Sequence, residues 1–292
     1  MSRPLGFLYV LLAGIGFGFI GIFSRFALQS GISVGELLFW RFFVAAVLLW
    51  ISLLALKPRL VRLPLRQILI SAALGGLGYA LFSTLYFKAI ENVSVPLAAL
   101  LLFTFLIFVN LGAHFILQER MSRTQGLSLA LASLGLGVLL WGPLMVHSTA
   151  GIFFGLGSAV GYSIYVLVSG RVQKNVPPLS SSLYVISAAA LMQFLINRPS
   201  LSNILSFSPL QIFCILGVAI VSTIGPLTLF LAGLQKLSSS QASVVVMIEP
   251  VVAALAAWYF LGETLSSLQL LGGMIVLGGL ALNALATTPS KL

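Results

Sequence analysis

Apolar positions dominate this chain in runs of about 20 residues, and the polar positions gather in short segments between them. A run of that length is what an α-helix needs to cross the hydrocarbon core of a bilayer. Ten runs are predicted, near residues 5–27, 34–56, 67–88, 94–117, 124–145, 151–170, 179–197, 210–234, 240–261 and 267–286. Lipid offers the backbone no hydrogen bonds, so runs this long are helices and not strands. The pattern predicts an all-α integral membrane protein with ten transmembrane helices. The first run, "MSRPLGFLYVLLAGIGFGFIGIFSRFAL", has a short basic start. It is too long for a signal-peptide core and no small-residue cleavage site follows, so it reads as an uncleaved first span.

Composition excludes a soluble alternative. The 292 residues are 60% hydrophobic and 7% charged, whereas soluble domains carry about 25% charged residues. The net charge of +10 does not imply nucleic acid, because the cations lie in loops between spans, where they report orientation. With the N-terminus inside, eleven of the fifteen cations fall inside: Arg3, Lys57, Arg59, Arg62, Arg66, Arg120, Arg123, Arg171, Lys174, Lys236 and Lys291. Arg25, Lys88 and Arg198 fall outside or at the outer edge, and Arg41 falls within a span. Both termini are therefore expected in the cytoplasm. The single Cys214 lies in an apolar run and reads as a buried structural thiol, with no disulfide framework or thiol metal cluster.

The chain also repeats. A shift of 144 residues lays Glu119 on Glu263, Ser122 on Ser266, Gln125 on Gln269, Leu127 on Leu271 and Gly135 on Gly279. Two units follow, 1–146 and 147–292, each with five spans. An odd number makes the second unit enter the membrane from the opposite side, giving an inverted repeat of the kind secondary transporters use, with the substrate between the halves near the midplane.

Each half ends in an apolar run, then Gly or Gln, then Glu, then S-x-x-Q and a Gly-containing span. The second half carries "IEPVVAALAAWYFLGETLS"; the first carries "GFGFIGIFSR" and "FWRFFVAAVLLW". In tandem, over almost the whole chain, these motifs resemble the EamA family of the drug/metabolite transporter superfamily. The resemblance implies export of amino acids or other small metabolites across the bacterial inner membrane, through a central cavity, without implying one substrate. Cavity walls from spans one, three, four, six, eight and nine are expected on this basis, with five and ten peripheral. The first half departs from the pattern, having Leu106 where the second has Pro250.

Glu249 is the residue that most needs explaining. It lies about eleven residues into its span, or roughly 16 Å of rise, near the bilayer centre. An ionised carboxylate there costs about 2.5 kcal/mol or more unless paired, hydrated or protonated. Pro250 frees a carbonyl near Val246 or Met247 and favours a kink. Both are tolerated where the helix lines a polar cavity. There Glu249 has two uses open to it, proton coupling or holding a substrate ammonium; a protonated Glu hydrogen-bonded to a neighbouring helix as a packing device is the competing reading. Arg41 is the other charge deep in a span; it either ties the span to neighbouring carbonyls or Glu36, or contacts substrate. "ALGGLGYALF" and "VSTIGPLTLF" occupy matching positions of the halves, so Gly78, Gly225 and Pro226 join Pro250 as candidate hinges; close packing through small residues is the competing explanation. Tyr79, Tyr86, Tyr162, Tyr165 and Tyr184 lie near these segments, and the first four are candidate cavity residues. Asn110 is a further candidate; with His114 it forms an i, i+4 pair, read as buried and satisfied in the absence of further metal ligands. Glu119 and Glu263 precede S-x-x-Q capping boxes and read as structural, each favoured at the positive end of the helix that follows.

An integral-membrane enzyme is the competing class. The chain has no Asp, two His, and no H-E-x-x-H, G-x-S-x-G or P-loop pattern. No cofactor is expected, and motion must draw on gradients. An organophosphate or nucleotide-sugar translocator would need several cavity cations to hold phosphate, where Arg41 and Lys88 are the candidates. The inverted-repeat expectation is checked by thiol labelling: cysteines placed at Arg120 and Glu263 should react from opposite sides of the membrane, and reaction from one side overturns it.

Overall fold

Half of the helices begin at side-chain caps that the sequence supplies. The computed structural model describes residues 3–119, 121–142, 144–199 and 207–287; Arg120 and Lys291, counted above as inside cations, lie outside that set. The helical segments are α1 (Arg3–Gln29), α2 (Val34–Leu56), α3 (Leu65–Asn92), α4 (Val95–Phe115), α5 (Arg123–Leu139), α6 (Ala150–Val172), α7 (Pro178–Asn197), α8 (Pro209–Leu234), α9 (Ser239–Leu261) and α10 (Ser267–Thr287). All but α5 are long and apolar enough to cross a bilayer, giving nine such helices among the described residues. Reciprocal Ser–Glu or Ser–Gln capping boxes open α2, α5, α8, α9 and α10, with Ser33, Ser122, Ser208, Ser238 and Ser266 as the caps. Each satisfies donors that lipid cannot. The starts of α7, α8, α9 and α10 each fall 144 residues after those of α2, α3, α4 and α5.

The fifth segment is shorter than expected. α5 has 17 residues and ends at Leu139, not near 145. The last helical bond is Leu140 N to Leu136 O at 2.9 Å, and Gly142 and Pro143 follow. The apolar character of "LWGPLM" continues past the point where its backbone can remain helical.

Polarity is inverted relative to a soluble protein. Large apolar side chains such as Ile51, Leu134, Phe153 and Tyr259 are exposed, while Arg41, Ser83, Gln193, Thr223 and Asn283 are buried. That is the arrangement hydrocarbon demands. Five helices are interrupted. α1 breaks at Phe19, α4 at Thr104 and α9 at Val246–Met247, whereas α3 and α8 widen to π-helix over Leu74–Ala80 and Ile220–Ile224. The two π segments occupy corresponding positions in the repeat.

α5 and α10 pack along each other at the edge of the bundle. Glycine makes this approach possible. A Cβ on Gly272 would lie 2.2 Å from Leu139 N, and one on Gly135 would lie 2.5 Å from Val276 N. Ser128 Oγ donates to Gly279 O across the same seam at 2.8 Å. Gly272→Ala must separate the backbones and should destabilise by about 1–3 kcal/mol. Gly278, which has nothing near its missing Cβ, should tolerate Ala. Thermal unfolding of the two variants checks the contrast.

Candidate functional site

The π segments place polar groups at mid-helix. In α3 the run Gly75-Gly76-Leu77-Gly78 lets the backbone approach its neighbours: a Cβ on Gly75 would lie 2.0 Å from Val185 O of α7. In α8, Pro226 has no N–H to return to Ser222, so the preceding turn widens. Thr223 Oγ1 donates to Val218 O at 2.8 Å and satisfies a carbonyl of that wider turn. Tyr79 and Thr223 are 144 residues apart, so they are equivalent positions of the two halves.

Arg41 of α2 reaches both. Its Nε donates to Thr223 Oγ1 at 2.8 Å and its Nη2 to Tyr79 Oη at 3.3 Å. The guanidinium carbon lies 4.8 Å from the Phe42 ring centroid. The residue is 4% exposed. Among the described residues Arg41 makes no link to Glu36 or to a backbone carbonyl, and Glu36 closes the capping box with Ser33.

An aromatic wall adjoins this junction. The Tyr79 ring packs edge-on to Phe42, Phe82 and Tyr165 at 5.5, 5.1 and 5.3 Å. Tyr162 lies 4.7 Å from both Phe82 and Phe105 and stacks with Tyr165 at 6.3 Å. Tyr79, Tyr162 and Tyr165 are buried, and Tyr86 is half-buried. Glu249, half-buried, lies within electrostatic range of Arg41 and of the Tyr86 and Tyr162 phenols. It forms no ion pair; the one ion pair among the described residues joins Arg25 and Glu263. The residues thus brought together are Glu249, Arg41, Tyr79, Tyr86, Tyr162 and Tyr165, from α2, α3, α6 and α9. Thr223, Phe82 and Phe105 join them although the sequence reading passed over them. The 144-residue register, applied to Tyr79, points to Thr223.

Other candidates lie elsewhere or act differently. Asn110 Nδ2 donates to Leu106 O at 2.7 Å, and its Oδ1 accepts from Ser240 Oγ; it belongs to the contact between α4 and the start of α9. His114 is exposed against Phe115, so the expected buried pair with Asn110 does not form. Pro250 is the third residue of the second segment of α9, Ile248–Leu261, where a missing N–H costs little. The helix has already broken one turn earlier, with Met247 N on Val244 O at 3.1 Å and Glu249 N on Val246 O at 2.9 Å. α4 breaks at the matching place without proline, where Thr104 Oγ1 donates to Leu101 O at 2.6 Å. Pro226 lies against Gly16 of α1, where a Cβ would be 2.4 Å from Pro226 Cγ. Gly225 opens the regular helix after the π turn, and Gly78 faces the Tyr165 ring. Lys88 is exposed over Phe154, leaving Arg41 as the buried cation among the described residues.

The two loop glutamates act differently from the expectation. The S-x-x-Q boxes form, but neither glutamate serves its own following helix. Glu119 accepts from the backbone N–H groups of Ser239 and Ser240, at 3.3 and 3.4 Å, at the start of α9. Glu263 pairs with Arg25 at 2.9 Å in an exposed contact. The second segment of α4 packs on the first segment of α9 at this Glu119 end, whereas the opposite segments, Val95–Phe103 and Ile248–Leu261, make at most marginal contact.

Comparison with known proteins gives a consistent set. The sequence model of the EamA-like transporter family matches residues 4–141 and again 149–285. An uncharacterized transporter of Archaeoglobus fulgidus is 30% identical over 70% of this chain and 73% of its own length. The uncharacterized transporter YcbK of Bacillus subtilis is 25% identical over 91% of this chain and 88% of its own. A probable amino-acid metabolite efflux pump of Salmonella typhimurium is 27% identical over 71% and 75%. A crystal structure sharing 17% identity has the same fold, with a TM-score of 0.81 over 100% of both chains.

Glu119 supplies a charged cap to a helix of the other half, while Glu263 makes a solvent-screened pair. Glu119→Ala should therefore cost about 1 kcal/mol, and Glu263→Gln should cost less. Thermal unfolding of both in detergent checks the order.

Proposed function

The chain belongs to the EamA-like transporter family, whose sequence model covers both of its halves, and we propose that it is a secondary transporter exporting small amphiphilic metabolites, amino acids among them, across the bacterial inner membrane. Ten spans form two inverted five-helix units, 1–146 and 147–292, with both termini cytoplasmic. α5 supplies the tenth span: it begins 144 residues before α10 and lies along it. The name of the Salmonella relative supports the substrate class.

The observation that carries this reading is the meeting, deep between the halves, of Arg41, Tyr79 and Thr223 with Glu249 in electrostatic range. A soluble ligand can use such groups in the membrane only if it is admitted from one side at a time. The broken α4 and α9 supply movable ends for that purpose. Their packing at the Glu119 end and separation at the other corresponds, in this orientation, to a molecule shut toward the cytoplasm. Gly78, Gly225, Pro226 and Pro250 border the segments that would bend.

Glu249 then serves the cycle as substrate contact or proton carrier. Glu249→Gln should slow export of amino acids, assayed as uptake into inside-out vesicles, by roughly tenfold or more, the size of one charge-assisted contact. Lost pH dependence with exchange retained identifies proton coupling; lost substrate binding identifies direct contact. An unchanged rate and pH profile in a folded variant reduces Glu249 to a packing residue.

A further inference from the structure

The guanidinium of Arg41 is incompletely used by the protein. It has five N–H donors. Nε and Nη2 are engaged, both by neutral hydroxyls. Nη1 makes no hydrogen bond to a described residue, and it is not among the buried atoms sealed off without a partner. A buried cation held only by neutral groups is costly unless an anion completes its shell. Glu249 is near enough to be felt but not at ion-pair distance.

We propose that Arg41 recognises a carboxylate of the transported molecule through Nη1, while its other two contacts hold equivalent positions, 79 and 223, in the π segments of the two halves. This rests on the transport reading above and names the group that selects for the anionic part of the substrate. A carboxylate suits the geometry because its oxygen can accept a charge-assisted hydrogen bond from Nη1 while Nε and Nη2 stay on the two hydroxyls. A phosphate dianion suits it poorly, since Arg41 is the buried cation among the described residues and Glu249 adds a nearby carboxylate. The hydroxyls of Tyr79 and Thr223 fix the plane of the guanidinium, and Phe42 covers one part of it. Lysine cannot reproduce two directed contacts and a free donor edge at once. Because residues 79 and 223 belong to opposite halves, an anion drawn to Nη1 acts on a group that both halves hold.

The test uses the full-length protein in nanodiscs and two probes that share an aromatic ring and an amine: L-phenylalanine, and L-phenylalaninamide, in which the carboxylate is replaced by a neutral amide. Dissociation constants are measured by calorimetry. The wild type should bind the acid roughly tenfold or more tightly than the amide, the range of one charge-assisted contact. In Arg41→Gln the acid should weaken by a similar factor while the amide is unchanged, so that discrimination vanishes. Equal binding of acid and amide by the wild type overturns the assignment, and needs no variant to fold. Equal weakening of both in Arg41→Gln also overturns it, leaving a purely architectural arginine. If the wild type binds neither probe, the amino-acid reading itself fails, and this assignment with it.

Discussion

A polar group surrounded by hydrocarbon has to find its partner within the protein, and the interrupted helices follow from how that demand is met. Each interruption frees backbone groups, and side chains from nearby return to them. Thr223 Oγ1 takes up Val218 O. Ser83 and Thr84 donate to Tyr79 O and Ala80 O at the end of the α3 π segment. Gln193 of α7 adds a second donor to Ala80 O at 3.1 Å. The polar side chains that make broken helices tolerable are drawn to the depth where a solute would be held. In this protein the helix breaks and the candidate site answer one requirement.

Arg41 shows how that requirement connects the two halves. Its 144-residue counterpart is Val185, an apolar residue whose carbonyl lies against Gly75. At this position the α7–α3 contact is backbone on backbone, while the matching α2–α8 contact is made by a long cation. The repeat conserves the packing and puts the chemistry on one side only. Glu249 behaves alike: its counterpart is Phe105, which packs on Tyr162. One half contributes the guanidinium of Arg41 and the other the carboxyl group of Glu249.

Much of the fold was legible because hydrophobic length and S-x-x-Q spacing are local. The starts of α2 and α10 fall where the sequence puts them. The overrun of α5 arises because an apolar run and a helical run are different things, separated here by Gly142 and Pro143. The break in α9 falls at Val246–Met247, where Pro250 is expected to free a carbonyl, yet a break recurs in α4 where Leu106 stands in place of that proline. The partners of Glu119, Arg41 and Asn110 were hidden. The partners in the other half, Ser239 and Ser240 for Glu119, Thr223 for Arg41 and Ser240 for Asn110, each lie more than a hundred residues away, and no local pattern encodes a contact at that separation.

The capping contacts make the two ends of the bundle chemically unequal. At the start of α9, Ser238 Oγ accepts from Gln241 N, and Glu119 takes the N–H groups of Ser239 and Ser240. Three orphan donors of the first turn are thereby used, two of them by a carboxylate placed at the positive end of the helix. The equivalent positions at the start of α4 are Val95 and Pro96. Proline has no N–H, so a carboxylate approaching α4 as Glu119 approaches α9 would find one donor fewer. Glu263, the counterpart of Glu119, is instead turned to Arg25. α4 and α9 meet at the end that offers the fuller set of donors, and stand apart at the end where proline has removed one.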